Sequence, residues 1–433
     1  MAKIAYIGAG STGFGKQFIA DIMSRPALAG STLALIDINQ ENLDVMTAVA
    51  RKMARQLDFP ITIEPSVDRC EGLDGAGYVL FTVEAPGGID QRQVERRISE
   101  KYGVDQAVGC TTGLGGVFRA MRYTPLMLDI CRDMERLCPD AWLLHYANPT
   151  SSVPWILNAG APKIQSVGMC HSVQHTAQTL CKYIGVPYEE SGHWVAGVNH
   201  QAWFLRFEHK GQDAYPLLWE AMQKPEVYGQ DVVRFELMKY FGHFVTESSY
   251  HNSEYVPYFR KNAELIERFT PKVGRWVDLQ ESTKVHMAER REQLRQQAGG
   301  DEPIQVDRSH EYSIGIIEAM ETNVPFRFNG NVMNTGLITN LPYSCVEVPC
   351  LVDNMGIHPC YVGGLPPQCA SLNRSRSAGD ELVVKAALEG DRKAAEQAVA
   401  LDPLTAAVCT LDQIHDMVEE TFAGSMDYLP QLK

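Results

Sequence analysis

Lys3-Ile4-Ala5-Tyr6-Ile7-Gly8-Ala9-Gly10-Ser11-Thr12-Gly13 is a short apolar run that ends in three closely spaced glycines. Such a run reads as a buried parallel strand. The glycines fall as GxGxxG where that strand must turn into a helix, expected over Gly13–Met23. In this pattern the first glycine permits the tight turn, the second lets backbone approach a pyrophosphate, and the third lets helix pack on strand. Gly8, Gly10, Ser11, Thr12 and Gly13 are therefore candidate cofactor-binding residues. The pyrophosphate would lie on the helix N-terminus, where free N–H groups and the helix dipole favour an anion. A second strand, 32–37, ends on Asp37, 24 residues after Gly13. A carboxylate there accepts from the adenosine ribose diol and repels a 2′-phosphate, which points to NAD rather than NADP. The plainer alternative is a glycine-rich strand–helix turn that binds nothing.

Outward from this stretch, strand and helix signals alternate. Helix is expected over 40–56, 91–101 and 124–137, and strand over 61–63, 77–83 and 141–145. Such alternation implies right-handed βαβ units and a parallel sheet. Beyond about residue 190 the pattern changes. Trp194–Val198 and Trp203–His209 are β candidates, 216–242 and 282–298 read helical, 324–362 is strand and turn, and 378–422 returns to helix. The expected fold class is α/β: a Rossmann-like doubly wound parallel sheet over 1–190, with an intertwined α+β substrate and metal domain, lactate dehydrogenase-like, over 191–433.

Composition narrows the function. The 433 residues carry 39 Lys+Arg against 53 Asp+Glu, a net charge of -14, with no basic run longer than two. This balance argues against a nucleic-acid partner, which needs a basic face. No run approaches 18 apolar residues, so no membrane span is expected. The eleven cysteines include no CxxC pair, which fits reduced thiols better than a disulfide framework. The opening residues lack a signal-peptide layout, and a cytoplasmic setting is the expectation.

Two later segments bear on chemistry: Gly168-Met169-Cys170-His171-Ser172-Val173 and Gly197-Val198-Asn199-His200-Gln201-Ala202. A thiolate and an imidazole suit a divalent transition metal, but the 29 residues between Cys170 and His200 match no zinc-finger spacing. On spacing alone, a buried thiol at a strand end and a hydrogen-bonded loop histidine explain them better.

Taken with Ile7–Thr12, Gly113-Leu114-Gly115-Gly116-Val117-Phe118-Arg119-Ala120 and Tyr146-Ala147-Asn148-Pro149, these segments form an ordered set. Phe244-Val245-Thr246-Glu247-Ser248-Ser249, Glu254-Tyr255-Val256-Pro257-Tyr258-Phe259, Gly330-Asn331-Val332 and Asn340-Leu341-Pro342 extend it. Over nearly its whole length the chain resembles the family 4 glycoside hydrolases, the NAD- and Mn-dependent glycosidases. Cys-His-Ser-Val is similar to the α-galactosidase (melibiase) version of the cysteine motif, and a phosphorylated sugar is not expected.

The resemblance implies a mechanism outside the usual two-carboxylate scheme. NAD takes a hydride from sugar C3, the ketone acidifies the C2 proton, and a divalent metal polarises the oxygen. A base removes the C2 proton, the C1 aglycone leaves, water adds, and hydride returns with no net redox. The resemblance makes Cys170 and His200 the metal ligands, with Mn2+ as the ion, and Tyr255 the C2 base. His171 becomes the leaving-group acid or a substrate contact, and Asn148 a substrate contact beside the cofactor cleft. Plainer roles exist for each: Tyr255 as one aromatic of a core and Asn148 as a turn residue before Pro149. A small-molecule α-glycoside is the expected partner, and a homodimer or homotetramer the expected assembly.

The chain departs from the family pattern twice. It has Cys110-Thr111-Thr112 where relatives carry an acid before the Gly113–Gly116 segment. It also has Glu84, a candidate cofactor contact, where the α-galactosidase pattern has glutamine. Three alternatives remain open at this level. The first is an α-glucosidase, or an enzyme for a uronic or otherwise modified α-glycoside, in the same family. The second is a 2-hydroxyacid-type NAD dehydrogenase, for which no Asp-x-x-Arg helix with a matching histidine segment is found. The third is a non-catalytic NAD-binding protein.

Overall fold

The computed structural model describes residues 2–271 and 276–432. Its twelve strands are β1 (Lys3–Ile7), β2 (Thr32–Ile36), β3 (Thr62–Ser66), β4 (Tyr78–Phe81), β5 (Trp142–His145), β6 (Gln165–Gly168), β7 (Ser191–Val198), β8 (Gln201–His209), β9 (Gln212–Asp213), β10 (Phe326–Met333), β11 (Cys345–Asp353) and β12 (Gly356–Pro359). Among the described residues they form one sheet, β3-β2-β1-β4-β5-β6-β10-β11-β7-β8-β9, with β12 on β11. The first six strands are all parallel. Their order, 3-2-1-4-5-6, is that of a doubly wound dinucleotide-binding sheet. From β6 onward the pairing is antiparallel, beginning where Asn331 of β10 meets Gly168 of β6.

β1 shows why the parallel half is stable. Side chains alternate across a strand, and both faces of β1 are covered. Ile4 and Tyr6 join one apolar cluster with Phe18, Leu35 and Ile316. Ala5 and Ile7 join another with Phe81, Tyr123 and Leu143. Parallel strands buried on both sides must be apolar throughout, the property that made β1 and β4 readable.

Several helices differ from expectation, among them the stretch 378–422, which falls into Pro367–Glu389, Arg392–Ala400, Pro403–Val408 and Leu411–Ser425. The first helix of the chain begins at Gly15 rather than Gly13. The helix expected from Thr124 begins at Gly113 and runs through Pro125 to Leu137. Its early glycines are packing positions: a Cβ on Gly115 would stand 2.0 Å from Gly109 O, and one on Gly116 2.6 Å from the Thr111 carbonyl carbon. The stretch 216–242 divides into Tyr215–Ala221, Pro225–Tyr228 and Val232–Phe241, since Pro225 has no N–H to continue a helix. The expected 282–298 lies within one helix, Trp276–Gly299.

Because β1, β2, β4, β5 and β6 run in one direction, their carboxyl ends share an edge. The chain leaves that edge at Gly8, Asp37, Glu84, Asn148 and Cys170. Ligands of open α/β sheets bind along this edge, at the point where strand order reverses.

Candidate active site

Gly8 leaves β1 with φ of 90°. A Cβ there would lie 3.0 Å from Val83 Cγ2, and one on Gly10 2.7 Å from an Asp37 carboxylate oxygen. Gly13 behaves differently: its Cβ would meet only Ser11 Oγ, at 3.8 Å. Gly15 makes the close approach instead, since its Cβ would stand 2.5 Å from Ala9 O in the loop after β1 and 2.7 Å from Met46 Cε on the helix Gln40–Gln56. The helix Gly15–Met23 has no side-chain cap at its N-terminus, which leaves first-turn N–H groups for an anion. Asp37 accepts from the N–H groups of Gly10 and Asn39, both at 2.9 Å.

A cavity of about 760 Å³ is lined by Gly8, Gly10, Asp37, Ile38 and Val67. Ile38 is 94% exposed and Val67 48%, so the cavity has uncovered apolar walls of the kind a purine ring covers. A second cavity, of about 820 Å³, is lined by Ser11, Thr12, Gly13, Glu84, Tyr146 and Asn148. The glycine cradle, the uncapped helix and the acid after β2 fit a dinucleotide laid across both.

Glu84 lines both cavities, with its carboxylate 2.7 Å from the Arg119 guanidinium and 3.6 Å from that of Arg92. Burial opposes its ionisation, but Arg119 and then Arg92 hold it below the usual carboxylate range. Burial likewise opposes the charge on Arg119, and Glu84, Tyr123 and Cys110 sustain it.

Cys170 and His200, far apart in sequence, are neighbours in space. Cys170 follows β6, and His200 sits in the two-residue turn between β7 and β8 with φ of 63°. Cys170 Sγ and His200 Nε2 are 3.3 Å apart. A third donor joins them: Glu247, with φ of 72°, places a carboxylate oxygen 3.8 Å from His200 Nε2. Ligand atoms of Cys170, His200 and Glu247 all lie within 4.8 Å of one another. Non-glycine residues held in the left-handed region mark sites where surrounding structure imposes the conformation. For Glu247 that structure includes Arg234, which donates to the Glu247 carbonyl and pairs with Asp231.

Tyr255 ends the helix Ser249–Tyr255 and reaches the same cluster. Its O–H donates to Thr111 Oγ1 at 2.8 Å, so its oxygen is free to accept from His200 Nδ1, 3.2 Å away. That arrangement leaves the His200 Nε2 lone pair facing Cys170 and Glu247, the form a metal ligand requires. The preceding residue, Glu254, accepts from the N–H groups of Val108 and Gly109 at 3.2 Å, which fixes the loop carrying Thr111. Arg376 donates to Thr111 O at 2.6 Å and lies 5.5 Å from the centre of the Tyr255 ring.

Electrostatics favour a cation among these donors. Burial pushes His200 down to about 4 and therefore neutral. Burial opposes a charge on Glu247, yet His251, His200 and His171 hold its carboxyl down at about 2. Burial pushes the Cys170 thiol up to about 11, and a bound divalent ion reverses that by deprotonating a coordinating thiol. Nearby Glu347 is fully buried and pushed up to about 8. The thiolate, neutral imidazole and carboxylate set fits a divalent transition metal.

His171 stands at the N-terminus of the helix Ser172–Ile184, with Nδ1 3.5 Å from the Glu311 carboxylate. Burial opposes its protonation, but Glu311 and Cys170 outweigh that and raise it to about 9. Asn148 faces the cavity beside Glu84 and accepts from Thr150 Oγ1 at 2.8 Å. Sequence reasoning missed Glu247, Thr111, Arg376 and Glu311. Only Glu247 had a signal, as the one acid in the quoted segment Phe244–Ser249.

Residues 3–186 match the family described as Family 4 glycosyl hydrolase, and residues 195–405 match the Family 4 glycosyl hydrolase C-terminal domain. An α-galactosidase of Bacillus subtilis (strain 168) is 39% identical over 439 residues, covering 100% of both chains. An α-galactosidase of Rhizobium meliloti (strain 1021) is 35% identical, covering 99% of this chain and 89% of its own length. A solved 6-phospho-alpha-glucosidase from gut microorganisms, in complex with NAD and Mn2+, shares the fold. Its TM-score is 0.84 at 21% identity, covering 99% of each chain.

Proposed function

The chain belongs to family 4 of the glycosyl hydrolases, and we propose that within this family it is an α-galactosidase acting on melibiose-type α-galactosides. Its cofactors are NAD and a divalent metal. The observation that carries this reading is the placement of the dinucleotide cleft and the Cys170–His200–Glu247 cluster on one edge of one sheet. The choice of galactose rests on the two α-galactosidases similar to the whole chain.

When bound, NAD supplies the reversible oxidation at sugar C3 that acidifies C2, and the metal supplies a Lewis acid for the C3 oxygen. Gly8, Gly10, Ser11, Thr12, Gly13 and Asp37 hold the dinucleotide, with Glu84 beside it. Cys170, His200 and Glu247 hold the metal. Tyr255 accepts the C2 proton as the phenolate, once its own O–H proton has been lost, and in that state Thr111 Oγ1–H and His200 Nδ1–H both donate to its oxygen. Burial pushes the Tyr255 hydroxyl above the ordinary phenol value, and Arg376 works in the opposite direction. His171, held by Glu311, donates a proton to the departing oxygen, and Asn148 binds a sugar hydroxyl. We place the enzyme in the cytoplasm, a reading supported by eleven unpaired cysteines. Assembly as a homodimer or homotetramer follows from the family resemblance.

The test is galactose release from melibiose and from para-nitrophenyl α-galactoside, with NAD or Mn2+ omitted in turn. Cleavage should require both and leave no net NADH. Cleavage without NAD, a preference for α-glucoside or α-galacturonide, or stoichiometric NADH would overturn the proposal.

A further inference from the structure

The helix Trp276–Gly299 belongs to the antiparallel half of the chain, yet it passes over the glycine loop of the parallel half. Met287 lines both the 760 Å³ and the 820 Å³ cavities. Those cavities also share Ser11 and Thr12, the point where a dinucleotide laid across them places its pyrophosphate. Residues three and four positions after Met287 lie on the same helix face, and they are Arg290 and Arg291. Arg291 lines the cavity on the Asp37 side, and Arg290 the cavity on the Glu84 side.

Neither arginine has an ion-pair partner among the described residues, and Arg291 Nε is buried without a hydrogen-bond partner. The acids on the cavity walls are largely engaged elsewhere. Glu84 pairs with Arg119 and Arg92, Asp37 accepts two backbone N–H groups, and exposed Glu289 lies 3.9 Å from His286. Contacts within the chain hold the helix in place. Lys52 Nζ donates to Gln297 O at 2.7 Å and to Gly300 O at 2.6 Å, and Lys16 Nζ donates to Gln297 Oε1 at 3.2 Å.

We infer that Met287, Arg290 and Arg291 form a preset roof over the dinucleotide, with the two guanidinium groups neutralising the two charges of its pyrophosphate from the side opposite the glycine loop. This inference rests on the NAD-binding reading. It makes the cofactor site a joint product of both halves of the chain, and it assigns phosphate recognition to side chains as well as to loop backbone.

The experiment is calorimetric titration of the full chain, without substrate, using NAD, ADP-ribose and adenosine as probes. Each of Arg290→Gln and Arg291→Gln should weaken NAD and ADP-ribose about tenfold, the scale of a lost charge-assisted hydrogen bond. Adenosine, which has no phosphate, should bind unchanged. Arg→Lys at either position should recover part of the affinity, and unliganded Tm should match wild type. NAD affinity within twofold of wild type in both glutamine variants would overturn the roof. Equal weakening of adenosine would also overturn it, since the helix would then only shape the purine wall. A wild-type chain that binds no NAD would overturn the cofactor reading itself.

Discussion

With its backbone in the left-handed region and its carbonyl gripped by Arg234, Glu247 has little freedom to turn its carboxylate elsewhere. The carboxylate is also the only formal negative charge in the three-residue cluster before the thiol ionises. Glu247→Gln keeps the shape and removes the charge. Mn2+ affinity should fall at least about tenfold, since even partners outside the coordination sphere carry that much, while NAD affinity stays as in wild type. Calorimetry of Mn2+ binding reads the outcome, and an unchanged affinity would remove Glu247 from the ligand set. That this role escaped sequence reasoning has a physical cause. The three donors come from a strand end, a hairpin turn and a loop, so no fixed spacing relates them. Cys170 and His200 were identified only through resemblance, and their own spacing pointed the other way.

The glycine-loop helix shows what pattern can and cannot assign. The motif GxGxxG located the turn, the cleft and Asp37, because each glycine role follows from backbone geometry near a strand end. It misplaced the packing contact, since Gly13 and Gly15 look alike in sequence and only the approach of Met46 and Ala9 O distinguishes them. Gly15→Ala should therefore destabilise the fold by about 1–3 kcal/mol, the cost of overpacking, whereas Gly13→Ala should change stability by less than about 0.5 kcal/mol. Urea denaturation of the two variants separates them, and equal losses would contradict the assignment. The helix Gly113–Leu137 escaped for a related reason. Glycine and proline normally count against helix, but here Gly115 and Gly116 exist so that the loop 109–111 can lie directly on the helix backbone. The apolar strands were legible because burial on two faces leaves no room for polar residues.

At the scale of the molecule, the metal donors join β6, the turn between β7 and β8, and the loop before the helix Ser249–Tyr255. An ion bound there favours the folded chain over the unfolded one by mass action, by about 2.7 kcal/mol at a hundredfold excess over Kd. Mn2+ should thus raise Tm and a chelator lower it, and Cys170→Ser should abolish the dependence. Scanning calorimetry over a metal series checks this, and a wild-type Tm indifferent to Mn2+ would argue against a site spanning these elements. A parallel sheet was expected from alternating elements. The direct pairing of β10 with β6 was not, because antiparallel partners so distant along the chain leave no local trace.

The thiols divide by depth, and that division shapes how the protein answers chemical modification. Cys170 is only 6% exposed, whereas Cys70 is half-buried on the wall of the cavity that holds Gly10 and Asp37. An alkylating reagent therefore reaches the purine side of the cleft before it reaches the metal sulfur. On the proposed cofactor site, bound dinucleotide should slow alkylation of Cys70, which peptide mapping of the labelled protein with and without NAD reads, and equal labelling in both would contradict that placement.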